Sequence, residues 1–541
     1  MKNLLRPAAL ALLLGSACAH PPDAAPAANR PNIVIVLADD LGFSDLGCYG
    51  SEIATPNIDR LAAQGLRFTR FYNAARCCPS RASLLTGLYP HEAGVGHMVA
   101  DRKTPAYQGY LNDRCVTVAE ALRPQGYQTL MVGKWHVGND RPHWPVDRGF
   151  DRSVALIGSG RHYFMLPKNR GLARDDQPIA PPDKDFYLTD YFTDSAVSLL
   201  DEAARQSKPF LLYLAYTAPH WPLHARADDI ARRSGAYSEG WDVLRERRHR
   251  RMIQEGLVDP AWPLSPRDPR VPAWRDCPVQ DWEAARMAVY AGQVDGLDRG
   301  VGRIVAKLRD LGKLENTLIL FLSDNGGCSE DITGRDRWQE DDIPKRTADG
   351  RPIRIGNDPS IVPGPADTFA SYGIEWANLS NTPFRLFKSW VHEGGISTPL
   401  IAHWPAVIRA PGLVRSVGHL IDLLPTCLDV AGAPYPSTRR GRSTPTLEGR
   451  SLLPVLRGAT AAEDRVLFWE HEGNRAVRDG RWKLVAACKE DWELYDLDAD
   501  RTELKNRAAD EPQKVRELAA RYDAWAKRCG VLPWTEGHIT K

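Results

Sequence analysis

Long apolar runs are absent from these 541 residues, and no stretch supplies the roughly 20 apolar side chains that a helix needs to cross a bilayer. A membrane-spanning body is therefore not expected. Charge of one sign is absent too: 70 Lys and Arg stand against 68 Asp and Glu, a net charge of +2. The chain has no electrostatic footprint for nucleic acid, and none is expected as a partner. Cysteine is scarce, ten residues at irregular intervals. That is too thin for a disulfide scaffold and lacks the paired spacing of a zinc site. No segment repeats, which sets aside solenoids and propellers. What is present is the balance of an ordinary globular protein, 43% hydrophobic and 26% charged, in a chain long enough to bury a large core.

The first residues stand apart. Lys2 and Arg6 precede an apolar run over 8–14 that is built like a secretory signal, so residues 1–19 read as a signal peptide. Ala17-Cys18-Ala19 fits a small-x-small cleavage site. Leu14-Gly15-Ser16-Ala17-Cys18 is an irregular lipobox, its Leu one place too far upstream, in which Cys18 would carry lipid. Residues 20–30, rich in Ala and Pro, read as a tether. Either route implies export, periplasmic or secreted, with membrane attachment only through a lipid on Cys18.

Asn32-Ile33-Val34-Ile35-Val36-Leu37 reads as a strand buried on both faces, as in a parallel sheet, and it ends in Ala38-Asp39-Asp40. Thr55 then caps a helix with Pro56 at its first position and Gly65 as its stop. Residues 128–132 run into Gly133-Lys134-Trp135-His136, residues 209–216 into Thr217-Ala218-Pro219-His220, and residues 318–322 into Ser323-Asp324-Asn325-Gly326-Gly327. Four strands thus carry polar residues at their carboxyl ends, where open parallel sheets build ligand crevices.

Residues 282–311 have the three-and-four spacing of an amphipathic core helix. The basic run 245–251 reads as the solvated side of a helix anchored by Trp241, Leu244 and Met252. Residues 341–369, loaded with Pro, Gly and Asp, form a long connection expected to lie over the site entrance. The class is α/β, with a catalytic domain over 31–435 and a polar, Pro-rich linker over 436–463. A smaller α+β subdomain over 464–541 follows, with short antiparallel strands at 466–470, 474–477, 482–486 and 493–496 and a closing helix over 511–527.

The stretch with the most chemistry is Cys77-Cys78-Pro79-Ser80-Arg81-Ala82-Ser83-Leu84-Leu85-Thr86-Gly87. Cys78 stands where an N-cap would, Pro79 suits the first helical position, and Gly87 closes the segment. Cys77 would then lie at a helix N-terminus, where free N–H groups favour an anion and Arg81 adds a full positive charge. A Cys-Cys pair alone is more often buried thiol than catalyst. Asp39, Asp40, Asp324 and Asn325 offer only hard oxygen donors, the set that suits calcium or magnesium. Gathered at two strand ends they would repel one another unless a cation joined them. Lys134, His136, His220 and Lys388 supply fixed cations and groups titrating near neutrality, which cleavage of an anionic ester requires.

Taken together, the eleven-residue signature, Asp39-Asp40, Gly133-Lys134-Trp135-His136-Val137-Gly138, Pro219-His220, Asp324-Asn325-Gly326 and Lys388 resemble, in order, the type I sulfatases of the alkaline phosphatase superfamily. Residues 381–395 and Trp469-Glu470-His471-Glu472-Gly473-Asn474 look most like bacterial arylsulfatase-type members. The resemblance implies a large, mixed, mostly parallel sheet flanked by helices. It implies that a formylglycine-generating enzyme converts Cys77, the residue two places before the Pro, to formylglycine. Asp39, Asp40, Asp324 and Asn325 would hold one Ca²⁺ together with the oxygen of residue 77. Arg81 and Lys134 would steady the formylglycine hydrate, Lys134 and Lys388 would grip sulfate, and His220 would assist the leaving oxygen. His136 would take a proton as sulfate departs. The expected activity is hydrolysis of an aryl sulfate or a sulfated carbohydrate. The alternatives are a phosphodiesterase or phosphonate hydrolase on the same fold, and a non-catalytic sulfoglycan-binding protein with unmodified Cys77.

Overall fold

The computed structural model describes residues 30–159, 162–166, 171–182, 184–332, 343, 345–460 and 465–534. The signal peptide, Cys18 and all but the last residue of the tether lie outside the described residues. Among those described, no helix is long and apolar enough to cross a membrane, and all nine cysteines are free thiols.

The first strand, β1 (Asn32–Asp39), is buried along its whole length. Its side chains alternate between two cores, Val34, Val36 and Ala38 on one face, Ile33, Ile35 and Leu37 on the other. This is why a continuous apolar run, rather than an alternating one, makes the strand. Downstream come α1 (Pro56–Ala63), α2 (Cys77–Thr86), β2 (Gln128–Lys134), α3 (Leu188–Ala204), β3 (Phe210–Pro219), α4 (Gln280–Asp310), β4 (Thr317–Ser323) and β5 (Leu400–His403). A ten-stranded sheet places β5, β4, β1, β3 and β2 side by side at its centre. β4, β1, β3 and β2 are mutually parallel, whereas β5 runs against β4. Ala38 pairs with Ser323, Asp39 with Pro219, and Gly133 with Ala215. All four expected polar loops therefore leave one edge of the sheet. α3 and α4 cover one face, with Leu199 and Val294 in its core, and α2 lies over the other with Leu84 and Leu85.

Several local expectations change. α2 begins at Cys77, with Arg76 as its N-cap, two residues earlier than Cys78 as cap requires. The first N–H groups of a helix have no partner inside it, so Pro79 is tolerated at the third position as well as the first. Thr55 is the N-cap of α1 but makes no side-chain cap bond; its hydroxyl donates to Asp59 at 2.8 Å and accepts from the Gly47 amide at 2.9 Å. The basic run lies on a helix, Gly240–Gln254, but is not merely solvated, because Arg245 and Arg248 are buried. Arg248 donates to Asp45 at 2.7 Å and Ser44 at 3.1 Å, bracing the loop that follows Asp40. The described part of 341–369 packs beside the loop carrying His220, with Phe369 against Trp221 and the Thr368 carbonyl 2.6 Å from His224. Residues 436–460 are laid against the main body: Arg439 pairs with Glu120, and Leu452, Leu453, Val455 and Leu456 are buried in its core.

The C-terminal part is a four-stranded antiparallel sheet, β6 (Val466–His471), β7 (Asn474–Asp479), β8 (Trp482–Ala486) and β9 (Glu493–Asp496), covered by α5 (Pro512–Cys529). It is pinned to the main body by buried ions. Glu393 accepts from Lys483 at 2.9 Å, Arg501 at 3.0 Å and the Tyr72 hydroxyl at 2.9 Å. Lys483 also pairs with Glu503 at 2.8 Å. Removing one partner of a buried pair leaves the others uncompensated, so Glu393→Ala is expected to lose about 3–5 kcal/mol of stability. Urea unfolding checks this; a loss under about 1 kcal/mol, the scale of a surface pair, would contradict it.

Candidate active site

Strand order and burial bring every candidate into one connected network. The carboxyl end of β1 gives Asp39 and Asp40, and the end of β4 gives Asp324 and Asn325. Lys134 closes β2, His136 and His220 follow β2 and β3, and α2 contributes Cys77 and Arg81. Gly133 permits the packing: it sits at φ +111°, and a Cβ there would lie 1.9 Å from the Ala215 carbonyl oxygen. Asp40 and His136 adopt left-handed backbone at φ 66° and 58°, which Asp and His tolerate better than most side chains.

The buried ion pairs fix the geometry. Lys134 Nζ donates to Asp39 Oδ2 at 2.6 Å. Arg81 donates to Asp324 Oδ2 and to the Lys134 carbonyl, both at 2.8 Å, and stands 3.6 Å from Asp39. Lys388 Nζ donates to Asp40 Oδ2 at 2.8 Å, and Asn325 Nδ2 to Asp40 Oδ1 at 2.7 Å. The Asp40 amide donates to Asp324 Oδ1 at 3.2 Å. His220 Nδ1 lies 2.6 Å from the Trp221 carbonyl, which leaves Nε2 facing Asp40 at 3.5 Å.

Two oxygens in this network, Asp39 Oδ1 and Asn325 Oδ1, are buried with no hydrogen-bond partner. Unsatisfied buried oxygens are costly, and here they belong to a set of hard donors. Burial beside Asp39 pushes the Asp324 carboxyl well up, although Arg81 opposes this. Burial acts on Asp39 in the same sense, but Lys134, His220 and Arg81 together hold it well below the usual carboxylate range. A cation among these oxygens would relieve both the repulsion and the missing partners, so the donor set fits a hard divalent metal.

Beside it lies Cys77, the first residue of α2 and only 2% exposed. A hydrogen bond from Cys78, then Lys134 and His136, holds its thiol well below its ordinary value against the effect of burial. Burial lowers His136 to about 4, with Cys77 opposing and Lys134 reinforcing. Its Nδ1 is buried without a partner. Two further residues complete the wall and were not singled out in the sequence. Arg76 pairs with Glu330 at 2.8 Å and reaches Ser389, while Glu330 accepts from the Trp221 indole at 2.7 Å and lies 4.0 Å from Lys388. Adjacency of Arg76 to the signature was the only available sign, and nothing local marks Glu330.

Residues 31–433 match the family model described as Sulfatase, and residues 384–523 match N-sulphoglucosamine sulphohydrolase, C-terminal. The chain is 34% identical over 536 residues to an uncharacterised sulfatase of Schizosaccharomyces pombe, covering 93% of this chain and 95% of that protein. It is 32% identical over 420 residues to the arylsulfatase of Klebsiella aerogenes, covering 75% and 87%. The crystal structure of Ps i-CgsB in complex with k-i-k-neocarrahexaose is similar with a TM-score of 0.66 at 25% identity, over 92% of this chain and 93% of that one. The fold is thus alkaline phosphatase-like, and the matches span the strands that build the site. The chain belongs to the sulfatase family and is a sulfuric ester hydrolase.

Proposed function

We propose that this enzyme cleaves the sulfate ester of a phenol or a saccharide to the free alcohol and inorganic sulfate, using residue 77 as formylglycine and one calcium ion. The observation that carries the reading is the position of Cys77, at the start of α2 inside an intact signature and within the field of Lys134 and His136. Asp39, Asp40, Asp324 and Asn325 would hold the calcium, which when bound neutralises charge on oxygens near it; the hydrated formylglycine supplies an oxygen nucleophile. The remaining roles fall to ordinary side chains. Lys134 and Lys388, both buried and cationic, offset the charge of the sulfate oxygens. Burial works against the Lys388 ammonium, but Asp40, Cys328 and Glu330 together hold it well above its ordinary value, so it stays protonated. His220, with Nδ1 turned to the Trp221 carbonyl, presents Nε2 to the leaving oxygen and gives a proton there when the ring is charged. His136, neutral at ordinary pH, accepts a proton at its unpartnered Nδ1.

Export, inferred from residues 1–19, would bring the enzyme to sulfate esters outside the cytoplasm, and a maturation enzyme would have to act on Cys77. The test joins a mass to a rate. The peptide containing residue 77 should carry an aldehyde in place of the thiol, and para-nitrophenyl sulfate should be cleaved far faster than bis-para-nitrophenyl phosphate. A thiol at 77 in fully active enzyme sinks the mechanism; a preference for the phosphodiester returns the site to phosphoryl chemistry.

A further inference from the structure

The turn joining β6 to β7 holds one carboxylate in place. Glu472 takes left-handed backbone at φ 53°, and the next residue, Gly473, lies at φ +80° where a Cβ would come 2.5 Å from Cys488 Sγ. Glu472 Oε1 is 2.9 Å from His97 Nε2 and 3.6 Å from His471 Nε2. The two imidazoles are stacked, with centroids 5.4 Å apart and planes 17° apart. Arg102 donates to His97 Nδ1 at 3.0 Å, and its guanidinium lies 4.8 Å over the Trp534 ring.

An arginine only donates, so His97 accepts at Nδ1 and carries its proton on Nε2, which it gives to Glu472. This tautomer argues against a metal here, although the ligand atoms of His97, His471 and Glu472 lie within 4.8 Å of one another. A coordinating imidazole presents a bare nitrogen and donates from the other. His471 is fully buried and neither ring nitrogen has a hydrogen-bond partner. Both imidazoles approach Oε1. Oε2 has no partner among the described residues, and the side chain is 33% exposed.

The turn abuts the catalytic groups. Asn474 donates to the Ser389 carbonyl at 3.1 Å, next to Lys388, and the Ser389 amide donates to the Ala75 carbonyl at 2.8 Å, two residues before Cys77. Glu472 lies within the field of Arg76, and His471 within that of Cys77.

We propose that Glu472 recognises the alcohol half of the substrate, its free Oε2 accepting a hydroxyl, so that the preferred ester is a monosulfated sugar. The assignment rests on the sulfatase reading above. A carboxylate accepts and does not donate, which matches a sugar hydroxyl and gives nothing to an unsubstituted aromatic ring. Its charge would repel a second sulfate or a uronate, which disfavours polyanionic chains. Being held beforehand by His97, it loses little freedom on binding.

The test compares Glu472→Ala and Glu472→Gln with wild type on para-nitrophenyl sulfate and on monosulfated glucose, galactose and N-acetylglucosamine, with melting curves to check folding. Wild type should turn over at least one sugar sulfate. Glu472→Ala should raise KM for it by about 10–100-fold, the loss of one charge-assisted hydrogen bond, with kcat little changed and para-nitrophenyl sulfate hydrolysis within about threefold. Glu472→Gln should fall between. Equal losses on both ester types, no effect on the sugar, or a wild type that cleaves only the aryl ester overturns the assignment. Hydrolysis of no sulfate ester at all would strike the sulfatase reading and this assignment together.

Discussion

Cys77→Ala should give a folded protein whose sulfatase activity is lower by about 10⁴-fold or more, the scale seen when an enzyme loses its nucleophile. Folding should survive because the change removes one sulfur atom from the first turn of α2 and leaves the Arg81 to Asp324 and Lys134 to Asp39 contacts intact. A small buried truncation of this kind costs about 1 kcal/mol. Cys78→Ala is the matched control. It removes a thiol that is equally buried but occupies the open place of the signature, and it should keep most of the activity. Rates on para-nitrophenyl sulfate, with melting curves for both variants, decide the matter. Substantial activity in Cys77→Ala would falsify the nucleophile assignment, and equal collapse in both variants would point to packing.

The second large effect is expected from Asp324→Asn, which keeps the shape of the side chain and removes its charge. Asp324 accepts from Arg81 at 2.8 Å and from the Asp40 amide at 3.2 Å, so its oxygens tie together the ends of β1 and β4. Without the carboxylate, the oxygen set loses one of three negative ligands and Arg81 faces only Asp39, at 3.6 Å. Bound calcium should fall from one per chain to a small fraction, and activity by about 10²–10³-fold, comparable to removing one electrostatic stabiliser. Elemental analysis after gel filtration measures the first. Added calcium should raise the melting temperature of wild type but not of the variant, since a ligand that binds only the folded state stabilises it. Undiminished calcium in Asp324→Asn, or full activity in metal-free wild type, would remove this residue from the metal site.

The central sheet was readable because strands buried on both faces leave continuous apolar runs, and β1, β2, β3 and β4 each end in polar residues at one level. The candidate site was readable for the same reason, with the signature at 77–87 supplying the rest. What stayed hidden depends on contacts between distant segments. The start of α2 shifted because Pro79 is acceptable anywhere in the first turn. Arg248 looked solvated until its partners, Asp45 and Glu52 some two hundred residues earlier, came into place. The leucines of 452–456 are too few to outweigh the Pro-rich stretch around them, yet they are buried. Arg76, Glu330 and Glu472 acquire their roles only once the loops converge.

The buried ions beneath Glu393 bear on the order in which the molecule can be made. Ser389 is tied to Asn474, and Glu393 to Lys483 and Arg501, so the segment that seats Lys388 is locked by residues that leave the ribosome well after all four strands. A nascent chain can align its four parallel strands, and with them the oxygens at their ends, while the far wall of the pocket is still unmade. Competence should therefore arrive abruptly, once the stretch from Asn474 to Arg501 has emerged. A stop codon placed after Ile396 and before Lys483 should abolish activity, even though it spares every residue drawn from the strand ends.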